Sequence, residues 1–245
     1  MSELSTEAIV LRRVDYGDAD LILTLMTRSA GKLSALARSA RRSRRRFGGA
    51  LMSFGVSTVE LKRRPRAELW TMQSAMPGKT FPGIAADMVA LAHASYGTEL
   101  VRELVAPEVA EPEIFDLLVC LYRELGEHGG HPPALRVFEL HLLRHLGLEP
   151  SFARCTRCGT EAEERFAEGA VFESDAGGAI CRVCAAASTG LGVRPLGNPA
   201  RQLLAQCAAL GSIDAARSMA ADREGAREAR NLMLLLLQSQ IGRPL

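Results

Sequence analysis

The chain has 245 residues, 47% of them hydrophobic and 24% charged, which excludes a disordered protein and leaves room for one large domain or two to three small ones. Its formal net charge of +2 hides an asymmetry: residues 1–80 hold 15 Lys/Arg against 7 Asp/Glu, while residues 81–245 hold 15 against 21. An anionic partner is expected for the first part only, and protein contacts for the rest.

The N-terminus, MSELSTEAIV, lacks a basic segment followed by an apolar one, so no signal peptide is expected. The apolar runs LILTLM and LMLLLL are too short to span a bilayer. The expected location is cytoplasmic, with no membrane partner, and the six cysteines then need a role other than disulfides.

Five short runs rich in Val, Ile, Leu and Thr read as strands: TEAIVLRRV, ADLILTLMT, KLSALARS, FGVSTVELK and AELWTMQSA. Turn chemistry separates them at DYGD, RSAG and RRPR. Five strands in about seventy residues suit a small closed barrel of the OB type, and an SH3-like barrel has nearly the same pattern. The third connection reads ARSARRSRRRFGG, with six arginines between Arg38 and Arg46. Like charges so close repel one another, so the stretch is expected to be a mobile barrel loop that orders on a polyanion. The alternative is a merely solvated charge run. Arg38, Arg41, Arg42, Arg44, Arg45 and Arg46 are the candidate phosphate contacts, with Lys62, Arg63, Arg64 and Arg66 as a second basic turn. Tyr16, Phe47, Phe54 and Trp70 are the aromatics of this part, and Phe54 and Trp70 also suit barrel core. Electrostatics should therefore outweigh base stacking, giving sequence-independent binding to single or double strands.

From Pro82 the period turns helical. IAADMVALAHASYGTELVREL places Met88, Leu91, Ala92, Ser95 and Tyr96 near one stripe, extended by Leu100 and Leu104. PEIFDLLVCLYREL starts at Pro112, and PALRVFELHLLRHLG stops at Gly147. GNPARQLLAQCAAL and AREARNLMLLLLQSQIG are helical again, the last apolar enough to dock on the helical core.

Between these helices, CTRC and CRVC form C-x2-C-x22-C-x2-C through Cys155, Cys158, Cys181 and Cys184. Two thiolates spaced by two residues can grip one metal from a single knuckle, and a second knuckle completes a tetrahedron. Two redox dithiols or four buried structural cysteines are the alternatives, but four cysteines rarely fall into two such pairs by chance. Four protein ligands leave no open position, so a structural Zn2+ is expected. The remaining two, Cys120 and Cys207, read as core residues. GAVFES and GGAI are strand-like stretches inside the insert.

Other candidates weigh less. PGKT at Pro77 to Thr80 resembles the end of a phosphate-binding loop but has Gln73 where that motif needs glycine. His141 and His145 lie four apart with no accompanying carboxylate motif, so satisfied or exposed histidines are expected. With no nucleophile elbow, paired catalytic carboxylates or dinucleotide fingerprint, a non-enzyme is expected.

EAIVLRRVDYGDADLILTLMTRSAGKLSALARSARR, the later GGALMSFGVSTVELKRRPRAELWTMQSA, and ALRVFELHLLRHLGLEP followed by the cysteine segment resemble the RecO family of bacterial recombination mediators over nearly the full length. The resemblance implies an α+β multidomain protein: an N-terminal OB-fold β-barrel (1–80), then an all-helical domain (81–148 and 189–245) with an inserted four-cysteine zinc ribbon or finger (149–188). It implies a nucleoid-associated bacterial protein that binds DNA, anneals complementary strands and helps load recombinase on DNA coated with single-strand-binding protein, in partnership with RecR. Cys155, Cys158, Cys181 and Cys184 match the intact zinc version of the family. Arg136 falls in the helix that the family uses near its pocket for the C-terminal tail of single-strand-binding protein. The alternative is an RNA-binding or transcription/translation accessory factor, and a zinc-dependent nuclease is a third reading.

Overall fold

The computed structural model describes residues 2–161, 166, 169–187, 193–220 and 222–242. They form two compact units, Met1–Gly130 and His131–Leu245.

The first unit opens with five strands: β1 (Ser2–Tyr16), β2 (Asp20–Thr27), β3 (Gly31–Ala37), β4 (Gly55–Arg63) and β5 (Trp70–Thr80), with one helical turn, α1 (Arg44–Phe47), between β3 and β4. Their order, β1-β2-β3-β5-β4, closes on itself. The alternation is visible in β2 and β3, where Leu21, Leu23, Leu25, Leu33, Ala35 and Ala37 face inward. β1 serves two neighbours because a bulge at Val10/Arg12 bends it: its first half pairs with β4, its second with β2. β5 returns beside β3 in parallel, with Ala35 opposite Trp70 and Leu36 opposite Thr71. A meander cannot produce that pairing, and the choice between barrel types falls to the five-stranded OB arrangement. PGKT ends β5, with Pro77 opposite Ser57 and Thr80 opposite Gly55, so it is strand and not a phosphate loop.

Helices α2 (Gly83–Ala86), α3 (Met88–Leu104) and α4 (Pro112–His128) complete this unit. Asp87 caps α3, its side chain accepting from the Val89 and Ala90 N–H groups. The stripe expected from Met88, Leu91, Ala92, Ser95 and Tyr96 is corrected here. The buried face is Ala90, Ala94, Gly97, Thr98, Leu100 and Val101, while Met88 is 86% exposed. Small residues let α3 approach its neighbours closely, so the larger side chains of this helix turn outward, a choice that apolarity alone does not encode.

The second unit holds α5 (Pro132–His145), β6 (Ala170–Glu173), β7 (Gly178–Cys181), α6 (Arg182–Ala185), β8 (Val193–Leu196), α7 (Asn198–Ala209) and α8 (Arg223–Ile241). α5 is buried from Pro133 to Leu143 and packs against α7 and α8. Leu232, Met233, Leu236 and Leu237 are the buried stripe of α8, as its apolar run suggests. The two strand-like stretches of the cysteine segment are β6 and β7, and β8 joins them in a three-stranded antiparallel sheet ordered β7-β6-β8.

Candidate nucleic-acid interface and metal centre

The arginine run begins where β3 ends. Ser39 takes a left-handed turn (φ +55°), and its N–H donates to Asp20 Oδ1 at 2.7 Å. The Arg41 N–H then donates to the Ala19 carbonyl and that of Ser43 to the Ser39 carbonyl, both at 3.0 Å. α1 follows and drives Phe47, 3% exposed, into the barrel core together with Ala50 and Leu51. The mobile loop expected from the sequence is thus a segment pinned at both ends, because one aromatic among the charges has apolar surface to bury.

Within the run the guanidinium groups divide. Arg46 folds back: it donates to the Arg38 carbonyl at 2.7 Å and to Ser43 Oγ at 3.2 Å, and lies 5.0 Å from the Phe47 ring centroid. Arg41 sits 3.6 Å from Asp15, both well exposed. Arg38, Arg42 and Arg45 are exposed, and their guanidinium groups have no hydrogen-bond or ion-pair partner among the described residues. The Arg44 side chain lies outside the described residues.

The second basic turn divides likewise. Lys62 Nζ lies 2.7 Å from Glu3. Arg63 pairs with Glu108 and stacks over Trp70, 4.6 Å from the ring centroid. Arg64 and Arg66 are exposed and without such partners among the described residues. Trp70 is buried in the barrel core, Phe54 is half-buried against Tyr122, and Tyr16, 55% exposed, is left as a stacking surface. Further basic residues escaped the sequence reading. Arg12 and Arg13 are exposed on β1, and Arg13 shares a hollow of about 440 Å³ with Arg41, Ser43 and Phe47. Their signal was a charged pair interrupting an apolar strand.

In the second unit the four Cys155, Cys158, Cys181 and Cys184 sulfurs lie within 4.8 Å of one another. Cys155 and Cys158 belong to a tight knuckle closed by the Gly159 N–H donating to the Cys155 carbonyl, with Gly159 at φ +74°. Cys181 ends β7 and Cys184 lies in α6. Tetrahedral metal–sulfur bonds of about 2.3 Å separate sulfurs by about 3.8 Å, and Cys158 Sγ lies 3.9 Å from Cys181 Sγ. The Cys181 N–H donates to Cys155 Sγ at 3.3 Å, and hydrogen bonding with Thr160 holds the Cys158 thiol down at about 6. This donor set fits a metal ion. Arg157, inside the first knuckle, makes two bonds to Glu173 of β6 at 2.9 and 2.8 Å, fixing the knuckle to the sheet.

Arg136 is 5% exposed, with its guanidinium 2.8 Å from the Glu139 carboxylate, which is fully buried. His141 is core: its Nε2 meets the Leu210 carbonyl at 2.8 Å, and burial pushes its pKa down. His145 is exposed. Cys207 is buried and Cys120 half-buried. No helix among the described residues is long and apolar enough to cross a membrane.

Comparison with known proteins matches both halves. The family model "Recombination protein O N terminal" covers residues 1–81, and "Recombination protein O C terminal" covers 85–245. The "DNA repair protein RecO" of Anaeromyxobacter dehalogenans (strain 2CP-C) is 38% identical over 246 residues, spanning 100% of this chain and 94% of that protein. The protein of that name from Anaeromyxobacter sp. (strain Fw109-5) is 37% identical over 99% of this chain and 93% of its own length. That of Geobacter sulfurreducens is 38% identical over 75% and 74%. With an OB barrel, a helical unit and the four-cysteine cluster all in place, the chain belongs to the RecO family.

Proposed function

We propose that the protein is a non-enzymatic DNA-binding recombination mediator of the bacterial cytoplasm and nucleoid. It anneals complementary strands and helps load recombinase on DNA coated with single-strand-binding protein, with RecR as partner. The observation that carries this reading is the set of exposed guanidinium groups without partners among the described residues, Arg38, Arg42, Arg45, Arg64 and Arg66, on the closed barrel. Phosphates bind such groups without regard to base sequence, on single or double strands alike, and neutralising them on two strands lets those strands meet. Arg41 and Arg46 add to the first basic segment, to which Arg44 also belongs in sequence, and Lys62 and Arg63 lead into the second at the far end of β4.

The barrel over 1–80 is the DNA module, the helices over 81–148 and 189–245 the partner module, and 149–188 a module folded by Zn2+ on Cys155, Cys158, Cys181 and Cys184. Arg136 is the candidate contact for the tail of single-strand-binding protein, and reaching it requires opening its buried pair with Glu139. Six phosphate contacts on a single strand give a log–log salt slope of about −4. The test is annealing of complementary strands precoated with single-strand-binding protein. Acceleration is expected, and its loss when Arg38, Arg42, Arg45, Arg64 and Arg66 are changed together to alanine. Unchanged annealing by that variant overturns the assignment of DNA to this surface. A strong preference for RNA over DNA in competition overturns the choice of nucleic acid.

A further inference from the structure

Beside the arginine run lies a second hollow, of about 300 Å³, walled by Met52, Phe54, Phe81, Pro82 and Ala85, with Lys79 as its charged lining residue. Gly49 and Met52 line both this hollow and the one that holds Arg13 and Arg41, so a single surface leads from guanidinium groups to apolar walls. Its size is that of pockets that take small flat ligands. The walls are built rather than incidental. Phe54 is held at φ +57°, a left-handed conformation that costs an aromatic residue energy. Its ring stands edge-on to Tyr122 at 5.6 Å and 80°, and the Tyr122 hydroxyl is fixed 2.5 Å from Thr98 Oγ1. Ser57 Oγ donates to the Ala50 carbonyl at 2.7 Å, tying the shared wall to β4. Met52, 69% exposed, offers a polarisable cover at the common rim.

We propose that this hollow is a subsite for one unpaired nucleobase of a strand whose phosphates lie on the arginine run. The proposal rests on the DNA-binding reading above. A strand bound through its phosphates carries apolar faces that gain from leaving water, and this pocket adjoins the hollow of Arg13 and Arg41 through Gly49 and Met52. Lys79 meets the phosphate that flanks the inserted base. A base held in a duplex is stacked and paired and cannot enter, so the subsite favours single strands over duplex on a surface that electrostatics alone leaves indifferent.

The probe is a 15-mer of thymidine with one central 2-aminopurine, used beside the same strand carrying a central abasic site and a matched duplex. Ala85→Trp fills the hollow from an exposed position on α2 without touching an arginine, and Met52→Ala removes the cover instead. For the unaltered protein, a change in 2-aminopurine emission on binding and weaker binding of the abasic strand are expected. In Ala85→Trp the emission change is lost and single-strand affinity falls about 10-fold, with duplex affinity and salt slope unchanged. Met52→Ala shifts the emission in the same direction by less. If the unaltered protein binds DNA but emission and single-strand affinity are the same in Ala85→Trp, the base subsite is overturned while the arginine reading stands. If the unaltered protein binds neither DNA, both fall.

Discussion

The basic surface of the barrel and the four-cysteine cluster are opposite solutions to holding charge together. In the cluster each group answers to the others: four sulfurs lie within 4.8 Å, and backbone N–H groups point back at them. On the barrel, charge stays open where Arg38, Arg42 and Arg45 face solvent, and is consumed where Arg63 meets Glu108 and Trp70. A closed set should fail all at once when one member is lost. An open set should lose its ligand by degrees.

The largest expected effect breaks the closed set. The unaltered protein is expected to hold one zinc per chain by elemental analysis and Cys181→Ser near zero, because a four-thiolate site contributes on the order of 10–16 kcal/mol. The second unit's unfolding transition should fall with it, while the barrel's is unmoved. Next comes Phe47→Ala, which removes the buried anchor of the arginine run and should cost the barrel about 3–5 kcal/mol in denaturant unfolding. An unchanged midpoint would mean that the run is not pinned.

Smaller still is the contrast inside the basic surface. Arg63→Ala should lower barrel stability by about 1 kcal/mol, since stacking and a half-exposed ion pair are both modest, and leave the salt slope of DNA binding intact. Arg42→Ala should leave the unfolding midpoint in place and reduce the magnitude of the single-strand slope by about 0.7. Equal effects of the two variants on binding would erase the distinction between open and consumed charge. The smallest effect belongs to His141. Its buried ring holds a proton less readily than in the unfolded chain, so the unfolded state binds more protons and stability of the second unit falls as pH drops below 6.5. One proton limits the slope to about 1.4 kcal/mol per pH unit, and His141→Gln should flatten it in pH-dependent unfolding.

Strand period and turn residues carried the barrel in the sequence, and C-x2-C carried the metal site because its geometry is local. What stayed hidden depends on partners far along the chain. Arg63 looks like Arg64 until β4 brings it to Trp70 and Glu108. Phe47 looks like a loop residue because one helical turn is too short to show a period. The resemblance places Arg136 near a partner pocket, and nothing in the local sequence shows that α5 is buried from Pro133 to Leu143. The small-residue face of α3 was missed since apolarity ranks Met88 above Ala90.

The parallel seam between β3 and β5 is closed by the pairs Ala35–Trp70 and Leu36–Thr71. Such a short seam is the natural place for a cylinder to gape, and amide hydrogens beside it should exchange before those of β1 and β2. A strand reaching from Arg38, past the end of β3, to Arg66, before the start of β5, would run the length of this seam. Slower exchange there on adding DNA would then register, in time rather than affinity, that nucleic acid stiffens the vessel which holds it.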